Sequence, residues 1–227
     1  MRDDRPPIKS YVLRGGRITD AQTRALATLS GAWCVQFSEA PLDFAGIFGN
    51  GNPVTVEIGF GTGGATAEIA EANPEKNYIG IEVFRAGIGR LLMEIEARRL
   101  ANIRIIEHDA AAVLEKMIPD GSINAFHIFF PDPWAKKRHR KRRLVRRPFT
   151  DTLASRLKPG GYVYMASDNE DYCRFAACEL EATGALRDAY AEFAPRLPVR
   201  PPTKFEKRAL AAASPVTELF FVKRARE

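Results

Sequence analysis

The sequence predicts a doubly wound α/β fold, and three of its features do so. Short strand-like runs alternate with longer helical patterns from Val54 onward, the arrangement of βαβ units around a parallel sheet. The run from Ile123 to Phe130 is apolar almost throughout, as a strand covered on both faces must be. The first strand runs straight into a glycine-rich turn, at the edge where such sheets hold ligands.

The elements follow in order. Residues 1–18 are rich in Arg, Pro and Gly without periodicity and are expected to form a mobile arm. Thr19-Asp-Ala-Gln22 has the form of a capping box, so a helix begins there and runs to about Ser30. Residues 31–53, punctuated by Pro41, Gly46, Gly49, Gly51 and Pro53, read as a link. Strands are expected at Val54–Ile58, Tyr78–Glu82, Ile103–Glu107, Ile123–Phe130, Tyr162–Ala166 and Thr217–Lys223. Helices are expected from the glycine turn to Ala72, and over Phe84–Leu100, Ala110–Ile118, Pro148–Leu157 and Glu170–Thr183. Lys158-Pro-Gly-Gly161 reads as a turn. The expected organisation is an arm, helix and linker over 1–53 and one main domain over 54–227.

A chain of 227 residues buries enough surface to fold without disulfides or a structural metal. No apolar run approaches the roughly 18 residues of a membrane span, and Met1-Arg-Asp-Asp-Arg-Pro-Pro7 lacks the apolar core of a signal peptide. The three cysteines, Cys34, Cys173 and Cys178, form no CxxC pair, and the three histidines are scattered. A cytoplasmic protein with no metal site and no membrane association is expected.

The charge is informative once localised. The net charge is +6, yet Lys136 to Arg147 holds nine basic residues and no acidic one. Outside it 25 basic residues face 28 acidic ones, a balance of −3. Such a concentrated positive field suits a polyanion, nucleic acid first; a solvated basic tail or localisation signal is the lesser alternative, because the run sits mid-chain beside the Phe130 to Trp134 motif.

Gly59, Gly61 and Gly64 fit the dinucleotide pattern GxGxxG, which alone is weak. Glu57, two residues earlier, changes its meaning, because a carboxylate aimed into the turn repels a pyrophosphate and attracts a cationic ligand. The amino group and sulfonium of S-adenosylmethionine make such a ligand. Glu82 ends the second strand, where a carboxylate can accept from ribose hydroxyls. Asp109 follows the third strand and can accept from an adenine amine or cap the next helix. Phe130-Pro-Asp-Pro-Trp134 follows the fourth strand; two prolines stiffen the loop and fix where Asp132 points.

Glu57-Ile-Gly-Phe-Gly-Thr-Gly63, Phe130-Pro-Asp-Pro-Trp-Ala-Lys-Lys-Arg-His-Arg-Lys-Arg-Arg143 and Thr203-Lys-Phe-Glu206, in that order, resemble the bacterial tRNA (guanine-N7-)-methyltransferase family. The resemblance runs from about Ser10 to the C-terminus. It implies a Rossmann-like class I methyltransferase domain over 54–227 and S-adenosylmethionine as cofactor. Glu57, Gly59, Gly61, Gly63, Glu82, Asp109 and Asp132 would contact that cofactor, and Asp132 would be the catalytic residue. Lys136, Asp168, Thr203, Lys204, Phe205 and Glu206 would contact the substrate. Arg138, His139, Arg140, Lys141, Arg142 and Arg143 would contact RNA. The implied substrate is the variable-loop guanosine of tRNA, position 46, and no obligatory protein partner is expected. The chain departs from the family pattern at Ala135, at Ser167-Asp-Asn169 and after Glu206, in Lys207 to Ser214.

The chemistry implied is in-line methyl transfer to guanine N7. That atom carries an in-plane lone pair and no proton, so alignment and a negative environment matter more than a base. Asp168 and Glu206 could accept from guanine N1–H and its 2-amino group, donors that adenine lacks as a pair. The rival readings are a methyltransferase acting on an exocyclic amine, an NAD-dependent oxidoreductase and a non-catalytic RNA-binding module.

Overall fold

The computed structural model describes residues 9–11, 16–211 and 215–225. Among them seven strands form one sheet: β1 (Val54–Ile58), β2 (Asn77–Glu82), β3 (Ile103–Glu107), β4 (Ile123–Phe129), β5 (Leu157–Ser167), β6 (Leu186–Asp188) and β7 (Thr217–Lys223). Their spatial order is β3-β2-β1-β4-β5-β7-β6. The first five are parallel, and β7 inserts antiparallel beside β5. The chain reverses its direction of travel across the sheet between β1 and β4, the switch point where α/β sheets open a crevice.

Eight α-helices accompany the sheet among the described residues: α1 (Asp20–Trp33), α2 (Phe44–Phe48), α3 (Gly64–Ala72), α4 (Arg85–Arg98), α5 (Ala110–Lys116), α6 (Phe149–Arg156), α7 (Glu170–Glu181) and α8 (Lys204–Ala211). None of these is long and apolar enough to cross a membrane. Two apolar layers cover the faces of the sheet. One holds Val56, Ile79, Phe126, Ile128, Leu153 and Met165, and the other holds Ala67, Ile88, Leu91, Ile95, Ile105 and Tyr164. All are fully buried. β2, β4 and β5 present side chains to both layers, as near-continuous apolar strands require.

The capping box at Thr19 is present in both directions: Gln22 N donates to Thr19 Oγ1 and Thr19 N to Gln22 Oε1. The helix it starts lies against α4, where Gly89 makes room for Gln22; a Cβ on Gly89 would stand 2.9 Å from Gln22 Cβ. After α1, Cys34 bridges Ile105 of β3, and Val35 N donates to Ile105 O at 2.8 Å. The segment before residue 54 therefore extends the main sheet rather than standing apart from it. Of the expected arm, residues 1–8 and 12–15 lie outside the described residues.

Lys158-Pro-Gly-Gly161 is not a separate turn. It belongs to the irregular start of β5, where the pairing with β4 shifts between Ile123 and Ala125. Gly160, at φ 76°, takes a conformation that lets these four residues bulge out of the ladder, whose pairing with β4 stops at Leu157 and resumes at Tyr162. The fourth strand ends one residue earlier than its apolar run, because Phe130 turns to φ 52°. The sequence pattern also misses α2, α8 and β6, each eight residues or fewer.

Candidate active site

The carboxyl ends of the strands form a row in sheet order: His108-Asp109 after β3, Glu82 on β2, the glycine turn after β1, Asp132 after β4 and Asp168 after β5. A cleft of about 1460 Å³ opens along this edge. That exceeds the roughly 300–1,000 Å³ of an ordinary small-molecule site and leaves room for a nucleotide beside a cofactor. Glu57, Gly59, Gly61, Glu82 and Asp132 all line it. So do Thr203 and Arg208 from the C-terminal part, and Gly16, Ile18, Thr23, Leu26 and Ala27 from the arm and α1. No motif in the sequence marks α1 as a wall of the site.

The glycine turn is built by backbone geometry. Gly59, Gly61 and Gly63 take φ 74°, 61° and 73°, which an L side chain rarely adopts. Gly63 also abuts α4: a Cβ there would stand only 2.6 Å from Leu91 Cβ, so Gly63 shapes the turn from behind and does not line the cleft. Gly87 on α4 approaches still closer: a Cβ there would fall 1.8 Å from Gly61 O.

Glu82 fastens this turn. Its carboxylate accepts from Gly61 N at 2.8 Å, Val83 N at 2.7 Å and Phe84 N at 3.1 Å. Three of its four lone-pair sites are thus filled by amides, leaving room for about one ribose hydroxyl rather than two. Burial pushes Glu82 above the ordinary glutamate range, the three amides oppose this, and the charge of Asp132 adds to the rise. Glu57 is 4% exposed, and burial raises it to about 7, with a further contribution from Glu82. Thr66 offsets only part of this; its buried hydroxyl has no hydrogen-bond partner of normal geometry. Glu82 thus sits between two carboxyls, Glu57 and Asp132, each of which repels its charge, and all three line one cleft. Such a donor set fits a cation and repels a pyrophosphate.

The other expected residues divide. Asp109 caps α5, with Oδ1 accepting from Ala111 N at 2.9 Å and Ala112 N at 3.2 Å. Its neighbours His108 and Ala110 line the cleft, and it does not. His108 lies flat on Phe37, ring centroids 3.7 Å apart, a stacked wall that no sequence pattern marks. Asp168 is exposed at the end of β5, followed by Asn169, which caps α7 through Tyr172 N at 2.8 Å. The departure at Asn169 thus has a structural use. Thr203 Oγ1 accepts from Glu206 N at 3.1 Å at the start of α8. Lys204 and Phe205 lie in the first turn of that helix, and their side chains lie outside the described residues, as do residues 212–214.

Glu206 departs from expectation. It is 3% exposed and does not line the cleft. Arg200 donates to its carboxylate and, at 2.5 Å, to Glu218 of β7; Arg196 Nε donates to Glu206 at 2.9 Å. Tyr164 donates to Glu218 in turn. Burial alone would raise Glu206, but Arg200 and Arg196 outweigh it and hold the carboxyl low. The guanidinium of Arg200 also lies 5.4 Å from the Phe129 ring and 5.7 Å from Phe130. Glu206 therefore helps to hold the wall below Asp132, and a guanine donor would have to compete with two arginines for it.

The basic segment forms a 3-10 turn over Lys137–Arg142, directly after Asp132's loop. Lys136, Lys137, Arg138, Arg140 and Lys141 are exposed. His139 and Arg142 are half-buried against Trp134, His139 edge-on at 5.9 Å and Arg142 over the ring at 4.9 Å. The expectation for Arg143 must be corrected: its side chain is 0% exposed and turned inward, so it offers no guanidinium to a phosphate. A run of like charges in sequence hides which member is folded in.

Comparison with known proteins bears on the family and the fold. A family model described as "Putative methyltransferase" matches residues 51–219. A tRNA (guanine-N(7)-)-methyltransferase of Nitrosomonas eutropha is 46% identical over 220 residues, covering 97% of this chain and 98% of the relative. One of Bordetella parapertussis is 49% identical over 217 residues, covering 94% and 84%. Among solved structures, the antibiotic-resistance methyltransferase Kmr superimposes with a TM-score of 0.60 at 15% identity, covering 85% of this chain and 96% of that one. The 16S rRNA methyltransferase KamB gives 0.59 at 13%, covering 80% and 93%. These two likenesses show the fold.

Proposed function

The chain belongs to the tRNA (guanine-N7-)-methyltransferase family, and from that premise we propose that it methylates N7 of guanosine in tRNA, with S-adenosylmethionine as donor and the variable-loop guanosine at position 46 as target. The observation that carries the cofactor is the trio Glu57, Glu82 and Asp132 at one glycine turn, an anionic set suited to a cationic ligand. S-adenosylmethionine, when bound, supplies an electrophilic methyl group on a sulfonium.

The residues of the chain do the rest. The turn from Gly59 to Thr62 presents backbone close to the cofactor, Glu57 balances positive charge, and Glu82 retains a lone-pair site for a ribose hydroxyl. Asp132 lies where β4 ends, held in direction by Pro131 and Pro133, and supports the positive charge that develops on the base. No proton leaves N7, so no residue has to remove one. Thr203 lines the cleft on the side where the base would enter, while Asp168, exposed at the end of β5, lies outside the cleft lining; the exposed cations of the basic segment hold phosphates on either side. Phosphate contacts set register, while the cleft sets base choice.

Reduction and aniline treatment cut RNA at 7-methylguanosine. After incubation with S-adenosylmethionine, unmodified tRNA should show one such cut, in the variable loop. A cut elsewhere, or none with methyl transfer intact, would redirect the assignment to another position or to an exocyclic amine.

A further inference from the structure

We infer that Arg143 is the positioning residue of the Asp132 loop, tying the RNA-gripping segment to the catalytic carboxylate, rather than one more phosphate contact. The inference rests on the functional reading above and deepens it.

The loop from Phe130 to Trp134 needs to be held. Phe130 and Trp134, at its two ends, take φ 52° and 46°. Bulky residues in the left-handed region persist only where their surroundings fix them. Arg143 supplies one such fixing point. Its Nε donates to the carbonyl of Pro133, the residue next to Asp132, at 3.0 Å. Its Nη2 donates to Asp171 Oδ2 at 2.5 Å, and Asp171 belongs to α7. The guanidinium lies 4.9 Å from the Tyr172 ring and 5.1 Å from Phe175, also on α7. Tyr172 accepts from Val145 N at 3.0 Å, which fixes the chain just beyond Arg143. α7 is seated in the core through Tyr172, Cys173, Ala176 and Leu180, so it is a rigid post.

A guanidinium that reached out to a phosphate would lose both hydrogen bonds. Arg143 is also the residue that closes the 3-10 turn, its N–H donating to Arg140 O at 3.0 Å. A pull on exposed Lys137, Arg138 or Lys141 by RNA is therefore passed through this turn to Pro133 and its neighbour Asp132. Trp134 gives the same loop a second tie, its indole N–H donating to Ser10 O at 2.9 Å. Gripping the substrate and aligning the carboxylate become one event.

Arg143→Lys is the discriminating variant. Lysine keeps the charge that a phosphate would need, and it cannot span Pro133 and Asp171 together. Single-turnover methylation at saturating tRNA and S-adenosylmethionine should fall about 10- to 100-fold, the scale of a small misplacement at a reacting centre. The tRNA affinity and its salt dependence should match wild type. Asp171→Ala removes an exposed carboxylate without opening a hole; it leaves the buried Arg143 guanidinium without its counter-charge, so some stability is lost, and the rate per folded molecule should fall severalfold. It decides the matter if Arg143→Lys fails to fold. In a Trp33→Phe background Trp134 is the sole tryptophan, and Arg143→Lys should make it more accessible to acrylamide. This quenching reads the tie even if tRNA proves not to be the substrate, so failure of the functional reading stays distinguishable. An unchanged rate in Arg143→Lys, with weaker tRNA binding and a salt slope flatter by about 0.7–0.9, would make Arg143 a phosphate contact and overturn the inference. So would lowered stability in both variants with an unchanged rate per folded molecule.

Discussion

Replacing Glu57 by Gln should stabilise the protein without cofactor and cripple its cofactor affinity. In the fold Glu57 titrates near 7, against 4.5 for a solvated glutamate, because burial opposes its charge. That gap is worth about 3 kcal/mol, at roughly 1.4 kcal/mol per tenfold in proton affinity. The sign follows from which state holds the proton. Below 4.5 folded and unfolded chains are both protonated, and there is no penalty. Between 4.5 and 7 the unfolded chain ionises first, so stability falls as pH rises; above 7 the full penalty stands. Glutamine carries none of it. His127 runs the other way. Burial, and then Lys76, lower it to about 3, so stability is lost as acid protonates the unfolded chain first, below about 6.5. The wild-type profile alone therefore mixes two opposed trends, and the difference between Glu57→Gln and wild type isolates one. Urea unfolding at about pH 5 and about pH 8 should show the variant nearly level with wild type at the lower pH and more stable by up to about 3 kcal/mol at the higher. Calorimetry should find wild-type affinity for S-adenosylmethionine rising with pH toward 7, and weak, pH-flat binding in the variant. A difference in stability that is the same at both pH values would refute the claim that a buried charge at Glu57 is kept for a cationic ligand.

Other consequences are checked more briefly. Gly87→Ala places a methyl 1.8 Å from Gly61 O, so it should displace the glycine turn, cost about 1–3 kcal/mol of stability and weaken cofactor binding, as thermal melts and titration will show. Lys137, Arg138 and Lys141 changed together to Ala should flatten the dependence of tRNA affinity on log salt by about two to three units, with cofactor affinity unchanged; parallel lines would make the segment a solvated charge run. Asp132→Asn should keep tRNA affinity and lose most turnover, and the wild-type rate at saturating S-adenosylmethionine, where ionisation of Glu57 no longer limits binding, should show no essential base titrating near neutrality; under that condition a pKa near 7 that vanishes in the variant would argue for proton abstraction instead.

The parts of the fold that are legible in sequence are those where pattern and packing agree. β1 and β3 match their expected limits to the residue, since both are short apolar runs between turn residues. The capping box at Thr19 is readable because it uses only neighbours in sequence. The anionic trio at the turn follows from where α/β sheets gather their loop ends. Contacts between distant segments are not legible. Nothing local says that Arg200 joins Glu206 to Glu218 of β7, or that α1 walls the cleft. Nothing local says that one of nine cations faces inward to Asp171, 28 residues on. Asp109 is open in sequence between a ligand and a cap, and the fold shows the cap, since its two amide bonds are local.

The central claim is a methyl group placed on guanine N7 of tRNA. Its most direct measurement uses methyl-labelled S-adenosylmethionine and bulk tRNA lacking modifications, digested to nucleosides and separated after reaction. All label should run with 7-methylguanosine, and the Asp132→Asn protein should leave the same peak nearly empty. Label in an N-methylated exocyclic amine, or none transferred to tRNA by protein that binds both partners, would contradict it.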